Sequence, residues 1–185
     1  MNVLLTSCGL ETEVIEKVFK DMLVKAPSES RALFIPTAAN SPDAIDVLPK
    51  CLNDLLKCGM SRKNIFVYDL YDTIDDNLYD HYDVIYLCGG SPEYLLRRIN
   101  EQGFNKKLQN YIKCGGIVVG VSAGSMIFAN NMPNNLGLLK CVLDVHCSDE
   151  TCEKAGEYKI DRQERIKLGD TQAIIFKDDR MVIVE

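Results

Sequence analysis

The strongest constraint on this chain is a run of β-branched residues that breaks at a serine flanked by glycines. Ile117-Val118-Val119 reads as a strand buried on both faces. Gly120-Val121-Ser122-Ala123-Gly124 interrupts it, and Ser125-Met126-Ile127-Phe128-Ala129 continues as a helix-like apolar segment. Strand, sharp turn and helix with the pattern G-x-S-x-G lift a serine hydroxyl clear of a sheet. A backbone bent that tightly tolerates only small neighbours, and Gly120, Ala123 and Gly124 are all small. Ser122 is therefore the candidate nucleophile, and the Ala123 amide is placed to face an oxyanion formed beside it.

The rest of the chain alternates strands and helices. Asn2–Ser7 is a short apolar strand, and Val14, Ile15, Val18, Phe19, Met22 and Leu23 then recur at helical spacing. Arg31–Pro36 is a second strand. Ser41-Pro42-Asp43 gives a helix cap with proline in the first turn, and that helix runs to near Gly59. Strands follow at Asn64–Asp69 and Asp83–Cys88, the latter stopping at Gly89-Gly90. Two helices, opened by Ser91-Pro92-Glu93 and carrying Phe104 to Ile112, lead into the strand before Ser122. Beyond it, Leu138–Val145 contains a strand and Glu153–Leu168 is a polar helix or loop. Ala173–Phe176 and Met181–Val184 form a terminal pair joined by Lys177-Asp178-Asp179-Arg180. This order predicts an α/β fold, a mostly parallel sheet with helices on both faces, in one domain spanning residues 1–185. Right-handed crossovers place Thr37, Gly89-Gly90 and Ser122 at one rim of that sheet.

Composition narrows the function classes. At 185 residues the chain can bury about 70% of its unfolded surface. A net charge of −6 with no basic cluster argues against nucleic-acid and anionic-membrane partners and favours a small molecule or peptide. No apolar run reaches the length of a membrane span. Eight cysteines lie mostly in apolar segments, with no secretory leader before the first strand, which predicts reduced thiols in a cytoplasmic protein. Cys147 and Cys152 lack a second pair at zinc spacing, so neither a metal nor a cofactor is expected.

A serine hydroxyl needs a base, most often histidine. The chain has two, His81 and His146. His81 precedes a strand and falls at the opposite edge of the sheet, which leaves His146 as the candidate base. The acid that orients it is open among Asp144, Asp178 and Asp179; a residue two positions away along a strand is awkwardly placed to accept the ring N–H, whereas the two turn aspartates are freer to approach. The amides of Gly89 and Gly90 form a second wall for an oxyanion. Arg162 and Arg165 are candidates to clamp a carboxylate.

Four segments together resemble a known family. Phe34-Ile35-Pro36-Thr37-Ala38-Ala39, Tyr86-Leu87-Cys88-Gly89-Gly90, Gly120-Val121-Ser122-Ala123-Gly124-Ser125 and Asp144-Val145-His146 occur in the order seen in the aspartyl dipeptidase (peptidase E) and cyanophycinase family. The similarity covers residues 1 to about 146 and, weakly, the rest. It implies a flavodoxin-like or class I glutamine-amidotransferase-like three-layer sandwich and a serine peptidase with a Ser-His-Glu type triad. Its substrates would be small peptides, including dipeptides with N-terminal aspartate. Ser122 then matches the nucleophile and His146 the base. The family acid falls within Phe176-Lys177-Asp178-Asp179-Arg180, at Asp178 or Asp179, where relatives usually carry glutamate. Arg162 matches an arginine that takes the substrate's aspartyl carboxylate. The chain departs from the pattern at Ser91-Pro92, and its segment between Ser122 and His146 is short. A second reading follows from the short C-terminal third: a member without turnover that binds a small ligand at the same place. The sequence leaves the oligomeric state open.

Overall fold

The computed structural model describes residues 1–177 and 180–185. In chain order the elements are β1 (Val3–Thr6), α1 (Glu13–Met22), β2 (Ala32–Ile35), α2 (Pro42–Lys57), β3 (Ile65–Val67), α3 (Leu78–His81), β4 (Val84–Leu87), α4 (Pro92–Glu101), α5 (Phe104–Lys113), β5 (Ile117–Val121) and α6 (Ala123–Met126). Four further strands and a terminal one follow: β6 (Leu143–Cys147), β7 (Gly156–Lys159), β8 (Ile166–Gly169), β9 (Ala173–Lys177) and β10 (Arg180–Val184).

Eight strands form the main sheet in the order β3-β2-β4-β5-β1-β9-β10-β7. The first five are mutually parallel; β9, β10 and β7 extend that sheet in antiparallel fashion. The central strands are buried on both faces, as their unbroken apolar runs require. Side chains alternate between two cores. Leu4, Phe34, Tyr86 and Val119 face Ile15 and Phe19 of α1 and Cys51 and Leu55 of α2. Leu5, Ile35, Leu87 and Val118 face α4, α5 and Phe128. This is the mostly parallel α/β sandwich expected from the sequence. Helix starts follow the capping chemistry: the Thr12, Ser41 and Ser91 side chains each accept an amide of the first turn, and proline opens α2 and α4.

The C-terminal third differs from the sequence expectation. Glu153–Leu168 holds β7 and β8 and no helix. Strand β8 pairs in parallel with β6 as a separate two-stranded sheet, whose Leu143, Ile166 and Leu168 pack onto the α4–α5 face. The strand signal was short: Ile166-Lys167-Leu168 alternates only once before Gly169-Asp170 turns the chain. Among the described residues, no helix is long and apolar enough to cross a membrane.

Candidate active site

Three parallel strands deliver the centre of the site. Strands β1, β4 and β5 are neighbours in register, Thr6 beside Val121 and Leu87 beside Gly120. Their C-terminal ends therefore bring Ser7-Cys8, Gly89-Gly90 and Ser122 to one edge, where parallel α/β sheets bind ligands. Ser122 has φ 49° and ψ −108°, a conformation that a non-glycine residue holds only when its surroundings enforce it. Its N–H donates to the Thr6 carbonyl at 3.0 Å. The Ser125 hydroxyl, fully buried, lies within hydrogen-bond distance of the Thr6 and Gly120 carbonyls and ties α6 to both strand ends.

The two glycines of the motif are required by contact. A Cβ on Gly120 would sit 2.5 Å from the Gly124 carbonyl oxygen, and one on Gly124 would sit 2.4 Å from the Leu87 carbonyl oxygen. Helix α6 thus lies directly on β5 and β4, with backbone on backbone. A Cβ on Gly89 would meet Ser122 Cβ at 3.4 Å, so the absent side chain leaves the face of the hydroxyl open. Gly90, at φ 136°, abuts the Ala38 carbonyl. Among the described residues, the Gly90 and Ala123 amides donate to no protein acceptor.

His146 lies in β6, where the β6–β8 register shifts between Asp144 and Cys147. At that irregularity His146 takes φ 58°, which turns its ring out of the strand's alternation. Its Nε2 is 2.9 Å from Ser122 Oγ, and its Nδ1 is 2.7 Å from Asp170 Oδ1. With Nδ1–H donating to the carboxylate, Nε2 is left as an acceptor for the serine hydroxyl. Asp170 follows β8, and parallel pairing with β6 puts His146 and Asp170 at the same strand ends. Ser7, fully buried, braces the arrangement from below. Its hydroxyl accepts the His146 backbone N–H at 2.7 Å and donates to Asp170 Oδ1 at 3.1 Å. The turn bearing Asp170 is closed by Gln172, whose side-chain oxygen accepts the Gly169 N–H.

The structure therefore brings Ser122, His146, Gly89, Gly90 and Ala123 together, and it gives His146 a partner that sequence reasoning missed. The acid expected at Asp178 or Asp179 lies outside the described residues, while the carboxylate on His146 belongs to Asp170. The usable signal was a short alternating strand ending in Gly-Asp, hidden by reading Glu153–Leu168 as polar. Asp144 is held instead by Arg165, whose Nη1 reaches both carboxylate oxygens at 2.6 and 2.8 Å. Arg162 does not line the Ser122 cavity. Its guanidinium pairs with Glu153 at 2.9 Å, faces Glu164 at 3.1 Å and lies over the Tyr158 ring. His81 stands in α3 beside Asp75, and Thr37 hydrogen-bonds Asp69 rather than facing the cavity.

Beside Ser122 opens a cavity of about 540 Å³. One face of α2 (Ala44, Val47, Leu48 and Cys51) forms its wall, and Asp54 lies farther along the same face. Burial raises the Asp54 carboxyl above the usual aspartate value, against the hydrogen bond from the Tyr86 hydroxyl and that from the Leu10 N–H. Burial also raises the Cys8 thiol, an effect that nearby Lys50 opposes. Cys8, His146 and Asp170 offer metal-ligand atoms within 4.8 Å of one another, a thiol–imidazole–carboxylate set of the kind zinc accepts.

A bent strand-to-helix serine hydrogen-bonded to histidine, itself on aspartate, at the rim of a parallel α/β sheet is the arrangement of serine hydrolases. The family model for peptidase family S51 matches residues 3–184, and the chain belongs to that family. It is 30% identical over 104 residues to the uncharacterized peptidase PM1590 of Pasteurella multocida (strain Pm70), a match covering 54% of this chain and 48% of that protein. The matched part thus spans about half the length of that relative. Among solved structures, a candidate peptidase E protein from Listeria monocytogenes EGD-e superposes with a TM-score of 0.76 at 18% identity, covering 100% of this chain and 98% of the other. A peptidase from an acI-B1 Actinobacterium gives 0.64 at 16% identity, covering 98% and 86%. At such identities these two share the fold.

Proposed function

We propose that this protein is a serine peptidase that hydrolyses short peptides, with Ser122 as nucleophile, His146 as general base and then general acid, and Asp170 as the orienting carboxylate. The hydrogen-bonded chain from Ser122 Oγ through both ring nitrogens of His146 to Asp170 carries the reading. As Oγ attacks the scissile carbonyl, its proton passes to Nε2. Asp170 holds the other nitrogen and stabilises the imidazolium. The tetrahedral oxyanion receives the free amides of Gly90 and Ala123, aligned before the reaction starts. The proton on Nε2 then goes to the leaving amine, and water reverses the steps to free the acyl group.

Membership of a peptidase family supports the peptide substrate. A preference for N-terminal aspartate, implied by the family resemblance, has less support, since Arg162 is engaged by two glutamates away from the cavity. The test is labelling by a fluorophosphonate together with hydrolysis of a mixed peptide pool. Wild-type protein should label at Ser122 and cleave. Ser122→Ala should abolish labelling and lower turnover at least about 10³-fold. A folded wild-type protein that neither labels nor cleaves would overturn the reading and favour ligand binding without turnover.

A further inference from the structure

The cavity beside Ser122 contains one feature that the triad does not use. Asp54 is only 7% exposed, yet it lines the cavity. Its Oδ2 takes hydrogen bonds from the Leu10 N–H at 3.1 Å and the Tyr86 hydroxyl at 2.7 Å, which fix the carboxylate. Among the described residues, Oδ1 has no hydrogen-bond partner and Asp54 no ion-pair partner. Oδ1 is not sealed from solvent, so the fixed carboxylate presents it to the cavity, where a cation would complement it. Lys50, the cationic residue in the lining, is already bridged to Glu11 and lies 3.7 Å from the Cys8 sulfur.

We propose that this cavity is a specificity pocket for a lysyl side chain, whose aliphatic stem lies along Ala44, Val47, Leu48 and Cys51 and whose ammonium meets Asp54 Oδ1. The reading rests on the peptidase function above and names the substrate class. Position supports it. Asp54 and Ser122 line the same cavity of about 540 Å³, and the apolar face of α2 lines it with them. A single vacant oxygen suits the point charge of an ammonium better than the two-pronged guanidinium. An acidic side chain would meet Asp43 and Asp54 in the same lining, with the one lysine already engaged.

The experiment uses the full chain and fluorogenic aminoacyl amides in which lysine, arginine, norleucine or aspartate supplies the scissile carbonyl. Norleucine keeps the stem and removes the ammonium. The expected kcat/KM is roughly 100-fold higher for lysyl than for norleucyl, with arginyl between and aspartyl slowest. Asp54→Asn, which can still accept both fixing hydrogen bonds, should bring the lysyl rate to within about threefold of the norleucyl rate measured on the same variant. A thermal melt confirms that this variant folds, and the wild-type ratio tests the proposal without any variant. Equal lysyl and norleucyl rates, or a faster aspartyl rate, would overturn the pocket while leaving the peptidase reading intact. Absence of both labelling and cleavage would remove the peptidase reading instead. In that case calorimetric titration with lysinamide and norleucinamide decides the pocket: tighter lysinamide binding that Asp54→Asn abolishes supports it, and equal binding refutes it.

Discussion

Replacing Asp170 by asparagine isolates the carboxylate that orients His146 from everything else at the site. Asp170 Oδ1 accepts two hydrogen bonds, from His146 Nδ1 at 2.7 Å and from the Ser7 hydroxyl at 3.1 Å. An asparagine that presents its NH₂ to the ring forces Nδ1 to accept. Nε2 then carries the proton, and the serine faces a donor where it needs a base. In triads with a buried acid this exchange lowers turnover by about 10⁴-fold. Here the Asp170 side chain is 57% exposed, so water restores part of the lost field, and Ser7 still anchors the His146 backbone. Those two facts reduce the expected loss to roughly 10²- to 10³-fold in kcat, with KM nearly constant because Asp170 lies behind the histidine. The stability of a surface turn should move by less than about 0.5 kcal/mol. The assay is steady-state hydrolysis of a fluorogenic peptide amide, paired with the rate of fluorophosphonate labelling, which should fall in parallel. The double variant Asp178→Asn/Asp179→Asn should keep kcat within about twofold. Full turnover by Asp170→Asn, or a larger loss in the double variant, would refute the assignment.

Gly120→Ala and Gly124→Ala each drive a methyl into a carbonyl oxygen that a strand or helix cannot move, and each should cost roughly 1–3 kcal/mol in chemical denaturation. Low-micromolar Zn²⁺ should inhibit hydrolysis reversibly by occupying Cys8, His146 and Asp170, and Cys8→Ser should weaken that inhibition at least about tenfold; equal inhibition of both proteins counts against the site. Because burial raises Asp54, the folded protein binds a proton there at pH values where the unfolded chain has released it. Stability should therefore fall as pH rises from the ordinary aspartate value through the raised one, and Asp54→Asn should flatten that part of the curve. Mass spectrometry after brief alkylation at pH 8 should find exposed Cys114 modified. Cys58, pushed by burial to about 12, and buried Cys88, raised well above the usual thiol value, should be untouched.

What could be read from the sequence and what could not divides along one physical line. The parallel half of the sheet was legible because its strands are buried on both faces, and continuous apolar runs between capped helices admit few other arrangements. The Ser122 turn was legible for a related reason: backbone packed on backbone leaves glycine as the residue that fits, so contact in space leaves a mark in the chain. Asp170 left no such mark. Asp170 touches His146 because two short strands from different parts of the chain pair in parallel, and β8 shows a single apolar alternation. Asp178 and Asp179 stood out in the sequence because two clear apolar runs flank them, a pattern that names no partner. Arg162 illustrates the converse case. A guanidinium reads as a substrate clamp until its partners are known, and Glu153 and Glu164 engage this one.

Strain links the parts of the site. Among the described residues four non-glycine positions have positive φ, and two of them, Ser122 and His146, are hydrogen-bonded to each other. Each conformation costs of order 1–3 kcal/mol and persists only where neighbours enforce it. For Ser122 the enforcement comes from the core of the sheet: the Thr6 carbonyl of β1, the Ser125 hydroxyl of α6, and the tight approach of Gly120 to α6 and of Gly124 to β4 hold the turn. His146 lacks that support, since it sits at an irregularity of a two-stranded sheet with about half of its side chain in solvent. Its backbone is fixed instead by Ser7, at the end of the strand that also accepts the Ser122 N–H. One strand end therefore sets the positions of both the hydroxyl and the imidazole. Ser7→Ala should separate the two roles: the Ser122 turn would stay intact while His146 loses its brace, so kcat should fall roughly tenfold with KM unchanged, and Ser7→Thr should restore most of it. An alanine variant with wild-type kcat would mean that the β6 irregularity alone suffices to hold the base.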